Sequence, residues 1–127
     1  MNISMLALGA TALAVSAAAV ADDKSDVQHG KQVFQYVCAP CHGDGPGSDG
    51  AKTLPGTAAL QLKYQGTKPA LLERRSDLPA AVLKVFIRNG TVSMPMFRKT
   101  EVSDTDITAI AAYLARSAQQ KAGVAAK

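Results

Sequence analysis

The sequence predicts an all-α domain, and three observations carry that prediction. Apolar residues in the body of the chain recur at three- and four-residue steps, without the strict alternation that a half-buried strand requires. The segments with this period are bounded by helix punctuation: Ser25 or Asp26 before the first, Asp77-Leu78-Pro79 and Gly90 around a later one, and Ser103-Asp104-Thr105-Asp106 before the last. Between them lie stretches too rich in Gly, Pro, Asp and Ser for regular structure.

Taken in order, residues 1–21 (MNISMLALGATALAVSAAAVA) hold no charged side chain, end in Ala19-Val20-Ala21 and give way to the polar run from Asp22. This is the pattern of an export signal cleaved after Ala21, which leaves residues 22–127 as one small domain. It lacks the usual Lys or Arg near its start, and an uncleaved anchor is the alternative. No membrane span is expected after cleavage. The first helix then runs from Ser25 or Asp26 to about Cys38, with Val27, Gly30, Phe34 and Val37 on one side. A loop, GDGPGSDGAKTL, follows. Short helices are expected over Thr57–Tyr64 and Pro69–Arg75. The next helix has Asp77 as N-cap, Pro79 in its first turn, Val82, Val85, Phe86 and Asn89 at helical steps, and Gly90 as its stop. After the loop TVSMPMFRKTEV, a Ser-x-x-Asp capping box at Ser103 and Asp106 opens the last helix, with Ile107, Ile110, Ala111 and Leu114 in phase. From about residue 119 a small, polar tail is expected to fray.

Composition narrows the function. The net charge is +4, and the 14 Lys and Arg residues are scattered from Lys24 to Lys127 without a polybasic block. Such scatter gives a mildly positive field that steers towards acidic partners, and it argues against nucleic-acid binding. With three Phe, three Tyr and no Trp, aromatic bulk is scarce, which implies that something besides side chains fills the core.

The chemistry concentrates at Cys38-Ala39-Pro40-Cys41-His42, which contains the only two cysteines in the chain. A thioredoxin-type dithiol wants its C-x-x-C at a helix start beside a parallel sheet, and no strand pattern is present. A structural zinc site needs four ligands, and beyond these three only His29 remains. A disulfide three residues apart closes too small a loop to restrain the unfolded chain much. Covalent haem attachment remains. Two thiols one helical turn apart can add to the two vinyl groups of a porphyrin edge, with the next residue, His42, turned to the iron. A sixth ligand is then needed for electron transfer, and a thioether suits it. Past the leader the only methionines are Met94 and Met96, both in a loop where core packing is least expected, with Pro95 stiffening the backbone beside Met94.

With these residues assembled, the chain resembles a class I c-type cytochrome, from GKQVFQYVCAPCH through RNGTVSMPMF to ITAIAAYL. The resemblance implies four to five helices around one covalent haem c. It implies Met94 rather than Met96 as iron ligand, and a carbonyl of Pro55 offered to the second nitrogen of His42. It also implies a helix crossing of Gly30 and Phe34 with Ile110 and Tyr113. The stretch from Pro55 to Asp104 further resembles the cytochrome subunits of flavocytochromes that oxidise 4-alkylphenols, of the p-cresol methylhydroxylase and eugenol hydroxylase types. In those, a separate flavoprotein subunit removes a hydride from the phenol. The cytochrome takes the electrons singly and passes them to another cytochrome or a blue-copper protein in the periplasm. A free soluble shuttle between respiratory complexes is the alternative. A haem peroxidase or gas-binding protein would need an open iron and a distal group, for which His29 is the only spare histidine. Arg88, Arg98 and Lys99 lie near the Met loop in sequence, where they would steer a docking partner or serve as ordinary solvated charge.

Overall fold

The computed structural model describes residues 17–125, so most of the leader expected over residues 1–21 lies outside the described residues. The architecture is helical: α1 (Ala17–Val33), a π-helical turn (Phe34–Cys38), α2 (Ala39–His42), α3 (Pro55–Tyr64), α4 (Ala80–Asn89) and α5 (Asp104–Ala125). Single 3₁₀ turns occur at Ser48–Gly50 and Leu72–Arg74. No strand occurs among the described residues; Thr91 and Met94 form an isolated bridge.

The core is built on the crossing of α1 and α5. A Cβ added at Gly30 would lie 1.9 Å from the carbonyl oxygen of Ala109, so the two backbones approach as only glycine permits. One turn on, Phe34 stacks obliquely on Tyr113 with ring centroids 5.4 Å apart. Both contacts are those expected for Gly30 and Phe34 against Ile110 and Tyr113. Phe34, Ile107, Ile110 and Leu114 are almost fully buried, each contributing about 1.5–3 kcal/mol of transfer free energy. Leu78, Leu83, Ile87 and Val102 join the same cluster from α4 and its flanks. The hydroxyl of Tyr113 donates to the Glu73 carboxylate, and Lys121 Nζ donates to it at 3.1 Å, which ties the Leu72–Arg74 turn to α5.

The capping box forms as expected: Ser103 N–H donates to Asp106 Oδ2 at 2.8 Å and Asp106 N–H donates to Ser103 Oγ at 3.0 Å. Gly90, at φ +66°, ends α4. Elsewhere the helices differ from expectation for identifiable reasons. α1 begins at Ala17, ahead of Ser25 and Asp26, and it widens at Phe34 rather than running unbroken to Cys38. Pro69–Arg75 forms one short turn, because the buried Arg75 takes extended backbone and turns its guanidinium onto Asp77. Asp77 therefore does not cap α4. Its carboxylate accepts from Arg75 Nε and Nη2 at 2.8 Å each and from Lys68 Nζ at 2.7 Å, and Pro79 takes the N-cap position. α5 continues to Ala125, past residue 119, through the helix-favouring run Gln119-Gln120-Lys121-Ala122. α4 turns Leu83 and Ile87 inward, while Val82, Val85 and Phe86 face outward.

Candidate functional site

The attachment string begins inside the π-helical turn, a wide turn that holds one residue more than an α-helical one. Phe34 stays on the α5 side, and Cys38 comes half-buried against the core. Pro40 falls in the first turn of α2, where its missing N–H leaves no bond unmade. Cys41 is exposed, and both thiols are free. Burial first, and then the neighbouring Cys41, pushes the Cys38 thiol up to about 11. A thiol so reluctant to ionise is a poor dithiol-exchange nucleophile.

His42 ends α2 and presses against the start of α3. A Cβ on Gly56 would lie 2.8 Å from His42 Nδ1 and 2.8 Å from the carbonyl oxygen of Cys41, so the ring occupies space that any other residue at 56 would fill. Thr57, itself buried, donates its hydroxyl to the Gly43 carbonyl at 3.2 Å, which fixes the chain just beyond the ring. Burial lowers the pKa of His42 and favours the neutral imidazole, the form that binds metals. Its Nδ1 is buried with no hydrogen-bond partner. The carbonyl bond expected from Pro55 is therefore not made, although the Gly56 backbone one residue on is the ring's immediate neighbour.

The second part of the site is the loop after α4. Thr91 N–H donates to Met94 O at 3.0 Å and Met94 N–H donates to Thr91 O at 2.6 Å, closing a tight turn with Val92 at φ +39°. Met94 is half-buried and packs against the core cluster, while Met96 is 62% exposed. Phe97 N–H returns to the Ile87 carbonyl at 2.7 Å. Of the three cations near this loop, Arg98 and Lys99 are exposed, but Arg88 is not free to steer a partner. Its Nη1 donates to Phe97 O at 3.0 Å and its Nη2 to Asp104 Oδ1 at 2.7 Å. His29 is likewise engaged, with Nε2 2.6 Å from Asp106 Oδ1.

The residues expected at the site thus hang on two helix pairs. Cys38, Cys41 and His42 belong to the π turn and to α2, which packs on α3; Met94 belongs to the loop between α4 and α5, which also pack together. Among the described residues no three His, Cys, Asp or Glu side chains converge, so a zinc set is absent there. A covalent haem fits what is present. The thiols are spaced for two thioether bonds, burial favours the neutral imidazole, whose buried Nδ1 is unpartnered, and Val82, Val85 and Phe86 leave an apolar face of α4 uncovered. Gly56, Thr57 and the structural role of Arg88 were not foreseen. A glycine directly after Pro55 at a helix start was the one signal that backbone must pass close to something there.

A helical fold that carries two thiols and an imidazole in the C-x-x-C-H spacing points to a c-type cytochrome. The chain belongs to the class I c-type cytochromes, since residues 25–114 match the family described as cytochrome C oxidase, cbb3-type, subunit III. It is also 32% identical over 117 residues to cytochrome c6 of Synechocystis sp., covering 91% of this chain and 78% of that protein. No solved structure gives a significant match. Membership brings one covalently bound haem c and makes the chain an electron-transfer protein rather than an enzyme.

Proposed function

We propose that the chain carries single electrons through one haem c attached at Cys38 and Cys41, with His42 and Met94 as the iron ligands. The observation that carries the ligand choice is the contrast between the half-buried Met94, fastened in a closed turn, and the exposed Met96. When bound, the haem supplies an Fe(III)/Fe(II) couple. The chain supplies the rest. Burial favours the neutral form of His42, and the close backbone at Gly56 confines its ring. A ligand set kept in place by packing changes little between oxidation states, so the reorganisation barrier stays low. Replacing Met94 by leucine abolishes the long-wavelength thioether–iron absorption band, and replacing Met96 leaves it intact; the opposite pattern overturns the assignment.

For the partner, the reading that goes furthest is a periplasmic subunit, exported with cleavage after Ala21, that takes electrons from a flavoprotein acting on 4-alkylphenols. A cytochrome or blue-copper protein is then the acceptor. Its support is the resemblance of the Pro55–Asp104 stretch to such subunits. Tyr36, exposed two residues before Cys38, would offer a flat contact beside the attachment site. A free shuttle is the second reading, favoured by the similarity to cytochrome c6. No helix among the described residues is long and apolar enough to cross a membrane. Gentle purification from the native periplasm separates the two: haem with flavin absorbance supports the subunit, and haem alone with an intact thioether band supports the shuttle.

A further inference from the structure

A methionine ligand stays on its iron only as long as its loop stays closed, and the loop carrying Met94 has reason to open. It leaves α4 at Gly90, and Val92 at its tip is a β-branched residue at φ +39°, a conformation such residues disfavour. The tip is fully exposed and packs on nothing that would hold it. The Thr91–Met94 bonds close the tip on itself but tie it to no other element, so what fastens the loop to the helices lies further along.

We propose that Arg88 is a positioning residue for Met94: its guanidinium clamps the returning strand of the loop to the start of α5. This rests on the reading of Met94 as iron ligand. Nη1 donates to the backbone carbonyl of Phe97, three residues after Met94, and Nη2 donates to Asp104, the first residue of α5. The adjacent bond from Phe97 N–H to Ile87 O lies beside the same clamp, so loop, α4 and α5 meet at one guanidinium. Two features mark Arg88 as a strut rather than steering charge. Its side chain is only 17% exposed, and its Nε is buried without a partner, a desolvation that an encounter cation would avoid. Lys84 also donates to Asp104, at 2.9 Å, but shows no bond to the loop. A lysine at 88 could not replace the clamp, because an ammonium lacks the planar fork that serves two acceptors at once.

The test uses the haem-loaded, oxidised protein as wild type and as Arg88→Gln, Arg88→Lys, Lys84→Gln and Met94→Leu. Imidazole is titrated while loss of the thioether–iron band is followed, since imidazole enters only when the loop is open. Helix content is melted separately by far-UV circular dichroism. Losing hydrogen bonds from a charged donor raises the open population on the order of ten-fold. Arg88→Gln and Arg88→Lys are therefore expected to need about ten-fold less imidazole. Lys84→Gln should titrate like wild type. Arg88 variants that titrate like wild type overturn the clamp, as does an equal shift in Lys84→Gln, which would make the effect one of Asp104 alone. A wild-type protein without the band, or Met94→Leu retaining it, overturns the ligand assignment instead and takes the clamp with it.

Discussion

Gly30→Ala puts the largest stress on the fold for the smallest change in chemistry. The added methyl would lie 1.9 Å from the Ala109 carbonyl oxygen, 2.3 Å from its carbon and 2.9 Å from the Ile110 nitrogen. All three are backbone atoms in a part of α5 where Ala109 and Ile110 are buried, so none can swing aside. An ordinary carbon–oxygen contact is about 3.3 Å, so α1 must retreat from α5 by roughly 1.4 Å. Overpacking of this kind costs about 1–3 kcal/mol, and a gap of that size forfeits a large part of the contact energy of Phe34 and Ile110. Higher helix propensity returns about 1 kcal/mol. The net expectation is a loss of about 3 kcal/mol, a large share of the roughly 5–15 kcal/mol that holds a domain together. Urea unfolding of the haem-loaded protein, followed by far-UV circular dichroism, should show the midpoint falling by about 2 M. Gly123→Ala is the control. It adds a methyl in α5 with nothing within 4 Å, so it should stabilise by about 0.5–1 kcal/mol. A Gly30→Ala protein within about 0.5 kcal/mol of wild type would refute the close-crossing argument.

Other expectations are smaller and independent. Asp106→Ala removes one side of the capping box and the partner of His29, and should lower stability by about 1–2 kcal/mol in thermal melts. Ser103 chiefly, with His29, holds the Asp106 carboxyl below its usual range, and Arg75 chiefly, with Lys68, does so more strongly for Asp77. Folded pKa values below the unfolded ones mean that this stability is present above about pH 4 and is lost as pH falls through the lowered values. Urea midpoints that stay flat from pH 6 to about pH 2 would contradict that. Thr57→Val keeps the volume but strips the donor from the Gly43 carbonyl, for a loss of about 1 kcal/mol in denaturant titrations. Tyr113→Phe keeps the contact with Phe34 and loses the bond to Glu73, and should cost about 1–2 kcal/mol in the same assay.

What the sequence revealed of this molecule was whatever depends on local geometry. The Ser103–Asp106 box, the Gly90 stop and the C-x-x-C-H spacing are read within a few residues, and each recurs in the structure. The crossing of Gly30 and Phe34 with α5 was available only through resemblance to relatives. The misreadings came where pairing between side chains competes with a local rule. Asp77 has the chemistry of an N-cap, yet Arg75 and Lys68 claim its carboxylate. α4 carries apolar residues at 82, 83, 85, 86 and 87, so helical spacing alone did not decide whether Val82, Val85 and Phe86 or Leu83 and Ile87 faced the protein core. Arg88 looked like one surface charge among several because its two acceptors lie nine and sixteen residues further on.

The π-helical turn has a consequence for anyone who would move this site to another scaffold. By holding one extra residue, it rotates everything after Phe34 by about 100° relative to a continuing α-helix. Phe34 can then face α5 while the thiols that follow are presented in a different direction. A transplant of Cys38–His42 alone onto an ordinary helix would carry the chemistry but lose that phase, aiming the porphyrin edge away from the cavity meant for it. The portable unit begins at Phe34.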